Sequence, residues 1–235
     1  MSVHKERPMS PSEFPLSAKN RVRQVAKRGV YDRETVYQIL DRSLICHVAF
    51  VSEDNPFIIP MLFARRNDEL LFHGSTKSRL MQSLTSGREV CISVAILDGL
   101  VLAKSLFHHS MNYRSVSVFG EGRELTNEDD RLSALQSISE KVMPQRWDDA
   151  RLPNALEMKA TCVAAIKIET ASAKIRTGGP VDDPDDVNLP VWSGVVPFRQ
   201  VADSPIRDEQ EGNELATPEY VEAWQRQFNS RERHS

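Results

Sequence analysis

The chain has 235 residues, of which 40% are hydrophobic and 27% charged, and its formal net charge is −3. That length can bury one sizeable core, the charge gives no footing for nucleic acid as the main partner, and no apolar run reaches the ~18 residues of a membrane span. The 3 cysteines, Cys46, Cys91 and Cys162, lie far apart in apolar runs without a CxxC, so they read as buried thiols of a reducing compartment rather than a zinc site or a disulfide framework.

Residues 1–20 are polar and rich in proline and lack the apolar stretch of a secretory signal. They read as a disordered arm on a cytoplasmic protein. A short helix is expected over 32–41, with Asp32 as its cap and Val36, Ile39 and Leu40 on one face. Strands then dominate: 44–51, 57–63 and 69–73, with Pro60 implying a bulge or an edge position in the second. A helical stretch over 76–86 is followed by strands at 89–97 and 100–105 across an Asp-Gly turn, and by another at 113–125. The spacing predicts a helix over about 127–142, with Thr126 and Asp129 as a capping box and Leu132, Leu135, Ile138 and Val142 as its stripe.

A late strand spans 161–170, a Pro-, Gly- and Asp-rich loop follows from 177, and a last helix covers 217–228 behind Thr217 and Pro218. Six or seven short antiparallel strands with one long helical excursion imply a mainly β protein, a closed or nearly closed barrel with flanking helices. The domain is placed at 21–200, and 201–235 is a tail with a short helix.

The chemistry concentrates in "LFHGSTKSRLMQSL", 71–84, where a strand gives way to a helix. A helix starting near Ser75 would present free backbone N–H groups beside the hydroxyls of Ser75, Thr76 and Ser78 and the cations of Lys77 and Arg79. Converging donors and cations at a helix start make a phosphate site. The same residues also fit an ordinary capped helix with solvated cations, and spacing alone does not choose. Arg114, in "YRS", is either a second phosphate clamp or half of a cross-strand ion pair. The run "GEGREL", 120–125, begins like a dinucleotide fingerprint but has Leu125 where the third glycine belongs, so it reads as a strand-end turn. His108 and His109, adjacent on a strand, would face opposite ways and so hold no common metal.

Taken together, "LFHGSTKSRLMQSL", "DGLVLAKSLFHHSMNYRSVSVFGEGREL", "MPQRW", "SAKIRTGGP" and "LPVWSGVVP" resemble the flavin-nucleotide-binding proteins related to pyridoxamine 5′-phosphate oxidase, in the subgroup that includes the nitroimidazole-resistance reductases. The resemblance spans about residues 22–198. It implies an FMN-binding split barrel that forms a homodimer with two FMN sites at the subunit interface. It places the FMN phosphate at Ser75, Ser78 and Arg79, beside Gly74, with Arg114 and Ser115 as further contacts. Main-chain groups of Pro60, Met61 and Phe63 would run along the flavin ring, His73 would stand close to it as the candidate catalytic residue, and Trp192 would close over the site from the partner chain. One departure is plain: pyridoxamine phosphate oxidases end in a strand carrying arginine and histidine for the substrate phosphate, whereas this chain ends in a helix and "SRERHS" with Arg231, Arg233 and His234. The implied function is therefore an FMN-dependent oxidoreductase acting on a small, flat or nitro-bearing molecule. The alternatives are a non-catalytic FMN carrier or redox sensor, and a haem-binding split-barrel protein with His47, His73, His108 or His109 as axial ligand.

Overall fold

The computed structural model describes residues 12–209 and 214–231. The expected arm is therefore seen only from residue 12, and there it packs rather than dangles. Phe14 is buried, Asn20 donates to the carbonyl of Ala171, and the N–H of Phe14 donates to Tyr31 O at 2.8 Å. Residues 1–11, Arg233 and His234 lie outside the described residues.

The chain runs through β1 (Gly29–Val30), α1 (Arg33–Arg42), β2 (Ile45–Ser52), β3 (Asn55–Leu62), β4 (Ala64–Arg66), β5 (Glu69–Ser75) and α2 (Arg79–Leu84). It continues through β6 (Glu89–Leu102), β7 (Ser110–Glu124), α3 (Glu128–Val142), α4 (Arg146–Asp149), α5 (Ala155–Ala160), β8 (Thr161–Lys167), β9 (Thr170–Arg176), β10 (Gly194–Pro197) and α6 (Glu219–Arg231). Asp32 caps α1 as expected, accepting from the Thr35 N–H at 2.9 Å. α3 is capped one residue later than expected: Asn127, not Thr126, accepts from the Asp130 N–H. Of its expected stripe Ile138 is buried and joined by Ala134, while Leu132 and Leu135 are half-buried.

Among the described residues all strand pairings are antiparallel, and ten strands replace the six or seven expected. The main path is β3–β2–β6–β7–β8–β5–β4. β7 organises it: one edge pairs along β6, while the other pairs with β9 over Tyr113–Phe119 and with β8 over Gly122–Glu124. β3 and β4 each pair on one side only, so the barrel stays split between them. This puts Pro60 on an edge strand, where its missing N–H costs no ladder bond.

Two sequence expectations change around β7. The Asp-Gly pair makes no turn; it sits in continuous β6, where the register shifts between Leu97 and Gly99. The glycines of "GEGREL" lie inside the strand rather than at its end. A Cβ at Gly120 would stand 2.1 Å from Lys167 O, and one at Gly122 would stand 2.0 Å from Leu84 O. Only glycine lets β7 pass that closely as its partner changes from β9 to β8.

The barrel interior is one apolar cluster including Val48, Phe50, Phe63, Phe72, Met81, Ile92, Val118 and Ile166. A second, smaller cluster lies under α3, where Val163, Ala165 and Leu71 meet Ala134 and Ile138. Lys141 fastens α3 to α1 by donating to Leu40 O at 3.0 Å, with its ammonium over the Phe63 ring. Burial pushes that amine down to about 8. No described helix is long and apolar enough to cross a membrane.

Candidate functional site

The strand-to-helix junction forms from a change of periodicity. β5 alternates, sending Leu70 and Phe72 into the barrel and Leu71 under α3, so His73 and Ser75 fall on the outer face. Gly74 faces inward, where a Cβ would come 2.9 Å from the Met81 side chain. The chain then turns through Thr76 and Lys77, and Ser78 caps α2.

This start is three residues later than the expected helix at 76–86, and α2 has only 6 residues. A helix so short contributes little macrodipole. Two of the expected donors are also engaged within the turn: the N–H of Thr76 donates to Ala160 O at 3.0 Å, and that of Lys77 to Ser75 Oγ at 3.2 Å. The N–H groups of Arg79 and Leu80 lead the helix with no partner among the described contacts. Ser75 and Ser78 accept backbone bonds through oxygen, which leaves each hydroxyl hydrogen available to an outside acceptor. Among the described residues, neither Lys77 nor Arg79 has a carboxylate partner. The junction is thus rich in donors and positive, with no internal anion to match.

Arg79 ties this junction to β3, its guanidinium 3.8 Å from the centre of the Phe57 ring. Phe57 had no signal in the sequence beyond its alternation with Ile59 and Met61. Beside it opens a mostly apolar cleft that Phe50, Ile58, Cys91 and Phe119 help to line. On β3, Pro60 is exposed and Met61 is half-buried against the barrel core; Phe63, just past the strand, is fully buried and stacked on Phe72 at 6.4 Å. Side-chain contact with a flavin is therefore closed to Phe63. The unpaired edge of β3 keeps backbone groups open to a ligand.

His73 stands on the outer face of β5, and partial withdrawal of its ring from water moves its pKa below the ordinary value. Its ring has no hydrogen-bond partner among the described residues, and neither has that of His47, exposed on β2 opposite Pro60. His108 and His109 are engaged. They sit in and just after a tight turn rather than on a strand: His108 Nε2 lies 3.0 Å from Asp183, which raises its pKa, and His109 Nε2 lies 3.2 Å from Ala103 O.

The remaining expected residues lie elsewhere in the contact network. Arg114 makes a two-pronged pair with Asp98, at 3.0 and 2.5 Å, across β6 and β7. Ser115 donates to Lys174 O on β9 at 3.2 Å. Trp192 is 65% exposed and folds over Gly194 at the start of β10. No described contact joins these three to the junction at 73–79. Gly74, Ser75, Ser78 and Arg79 meet at the junction beside His73, and Arg79 reaches β3 through Phe57; no described contact joins Pro60 or Met61 to the junction, and Arg114, Ser115 and Trp192 lie on the β6–β7–β10 side.

The family model described as pyridoxamine 5′-phosphate oxidase matches residues 32–175. The structure of the flavocytochrome Anf3 from Azotobacter vinelandii is 34% identical, with a TM-score of 0.84 over 90% of this chain and 98% of that one. The FAD and heme binding protein from Mycobacterium smegmatis is 30% identical, with a TM-score of 0.79 over 83% of this chain and 96% of that one. A candidate 5-nitroimidazole antibiotic resistance protein from Bacteroides thetaiotaomicron shares the fold, at 20% identity and a TM-score of 0.53 over 63% of this chain and 86% of that one. No curated protein matches the chain.

Proposed function

This chain belongs to the pyridoxamine 5′-phosphate oxidase family, and on that premise we propose that it is a flavin-dependent redox protein holding the phosphate of FMN, or of the FMN half of FAD, at the β5–α2 junction. The observation that carries the reading is the unmatched positive charge there. Lys77 and Arg79 stand beside two hydroxyls and two leading N–H groups with no carboxylate among the described residues to neutralise them. A phosphate monoester fits that donor set, and Arg79 is already braced on Phe57. FAD is the nucleotide named for the mycobacterial relative. FMN carries a phosphate monoester on its ribityl chain and FAD carries the same phosphorus as half of a pyrophosphate; both present anionic oxygens at that point, so the junction offers partners to either.

A flavin bound there would supply hydride and one-electron chemistry. The chain's own groups would orient it. The open edge of β3 at Pro60–Met61 offers main-chain partners to the ring edge, and the cleft beside Phe57 offers apolar room for a small, flat substrate. Burial lowers the pKa of His73 and so favours its neutral form, which is fitted to accept a proton or a hydrogen bond near the ring rather than to bring a charge.

The outer face of β2 and β3 exposes Ile45, Val51, Ile58 and Leu62, an apolar band unusual on a solvated sheet. We assign it to a homodimer interface, with Trp192 available to reach a neighbouring subunit's site.

A second reading has its own support: two of the matched structures, 34% and 30% identical, are a flavocytochrome and a FAD and heme binding protein. Of the four histidines considered, His47 and His73 have rings without a described partner, whereas His108 and His109 are engaged. Haem ligation through His47 or His73 would make the protein an electron-transfer device with two cofactors.

Reconstitution decides between these. The purified protein is incubated separately with FMN, FAD and hemin, desalted, and its visible spectrum recorded. Retained flavin bands support the first reading. A Soret band lost on His47→Ala or His73→Ala adds the second. A colourless protein in all three arms rejects both.

A further inference from the structure

Arg176 closes β9 opposite Tyr113 and is only 7% exposed. Its guanidinium donates to the side-chain oxygen of Asn112, to Gly178 O at 3.3 Å and to Gly179 O at 3.1 Å. All three acceptors are neutral. Its Nε is buried and has no hydrogen-bond partner.

The other strand arginines contrast with it. Arg65 pairs with Asp41, Arg114 with Asp98, and Arg66 and Arg123 with Glu69, and each of these is more exposed than Arg176. Among the described residues no carboxylate pairs with Arg176. Arg28 directly precedes β1, whose Gly29 lies opposite Lys174 of β9, so a second cation stands beside the end of β9 that Arg176 closes, and burial first and then that charge push the pKa of Arg176 below its ordinary value. A buried guanidinium held by three neutral oxygens, with two of its five N–H donors unused and another arginine beside it, is disfavoured unless an anion completes it.

The turn that Arg176 grips has room for one. Gly178 has φ +96°, and a Cβ built on Gly178 or Gly179 meets nothing within 4 Å. The segment is "SAKIRTGGP", none of whose residues has a role at the β5–α2 junction.

We propose that Arg176, with Arg28, forms the receptor for an oxyanion at the turn of residues 177–179. The ligand group is a phosphate ester or a carboxylate, since both offer the flat, divided negative charge that a guanidinium fork matches. This site uses different strands from the β5–α2 junction and does not depend on the flavin reading.

The test is thermal unfolding of the full chain in inorganic phosphate, acetate and chloride at matched ionic strength. The background is Arg79→Ala, which disables the junction. In that background phosphate or acetate should raise the unfolding temperature in a saturable way that chloride does not. A larger rise in phosphate assigns a phosphate ester, and a larger rise in acetate assigns a carboxylate. Adding Arg176→Gln should abolish the rise, and adding Arg28→Gln, which leaves the buried turn contacts in place, should reduce it. The proposal is overturned if the Arg79→Ala chain shows no anion-specific rise, or if the rise persists in full with Arg28→Gln. Because the probe ions are not flavins, loss of flavin binding alone would leave this result standing.

Discussion

β8 and β3 are both short apolar strands, and the protein treats them in opposite ways. β8 is sealed on both faces: Cys162, Ala164 and Ile166 look into the barrel, while Val163 and Ala165 look under α3. Its two adjacent alanines let helix and barrel approach it together. β3 is sealed on one face only. Phe57, Ile59 and Met61 lean on the barrel core, while Ile58 is 68% exposed and Leu62 43% exposed. An apolar strand with one bare face and one bare edge is a costly thing to leave in water. β8 thus maintains the fold, and β3 is the strand on which the proposed flavin and subunit contacts converge.

Substitutions test that contrast. The largest effect is expected at Val163→Asp, which would bury an unpaired carboxylate between two sealed layers and cost about 3–5 kcal/mol. Urea unfolding measures it. Gly120→Ala, on β7 just before it pairs with β8, should cost about 1–3 kcal/mol as the backbone moves off Lys167 O. Ile58→Asp should change the unfolding free energy of the monomer, measured at low protein concentration, by no more than about 0.5 kcal/mol, as on an open surface, yet shift the proposed dimer to monomer in sedimentation. If Ile58→Asp unfolds the chain as Val163→Asp does, the two strands do not differ as described.

The smallest effect is a pH dependence at His73. Its folded pKa lies below the unfolded value, so the unfolded chain takes the proton more readily. That contribution to stability is whole above the unfolded pKa near ~6.5 and is lost as the pH falls through the lower folded value. His73→Gln should flatten this acid-side slope, measured as unfolding temperature against pH. An unchanged slope would place His73 in water like any surface histidine.

Local chemistry was legible in the sequence wherever it was decided locally. Asp32 announced the start of α1, and the two-residue period of Val116 and Val118 placed β7. Elements settled by distant partners were not. β9 is "TASAKIR", with Ala171 and Ala173 as its buried residues, and only its ladder to β7 makes it a strand. The glycines of "GEGREL" looked like a turn because the carbonyl that excludes a side chain at Gly120 comes from Lys167, far along the chain. The donor cluster at 75–79 was readable from residue types, but the place where α2 begins was not. Thr76 and Lys77 are held in the turn by Ala160 and Ser75, a contact set by α5 and β8. The ion pair of Arg114 was one of two open readings, and Asp98 became its partner only through the bulge in β6.

The most direct test of the account is flavin affinity, measured by fluorescence titration with FMN and FAD on the wild-type chain and on Arg79→Ala. Loss of one charge-assisted contact should weaken the flavin that binds by about 1.5–3 kcal/mol, roughly ten- to a hundred-fold, with the unfolding curve unchanged. Equal affinity in the two proteins would contradict the assignment of the phosphate to the β5–α2 junction.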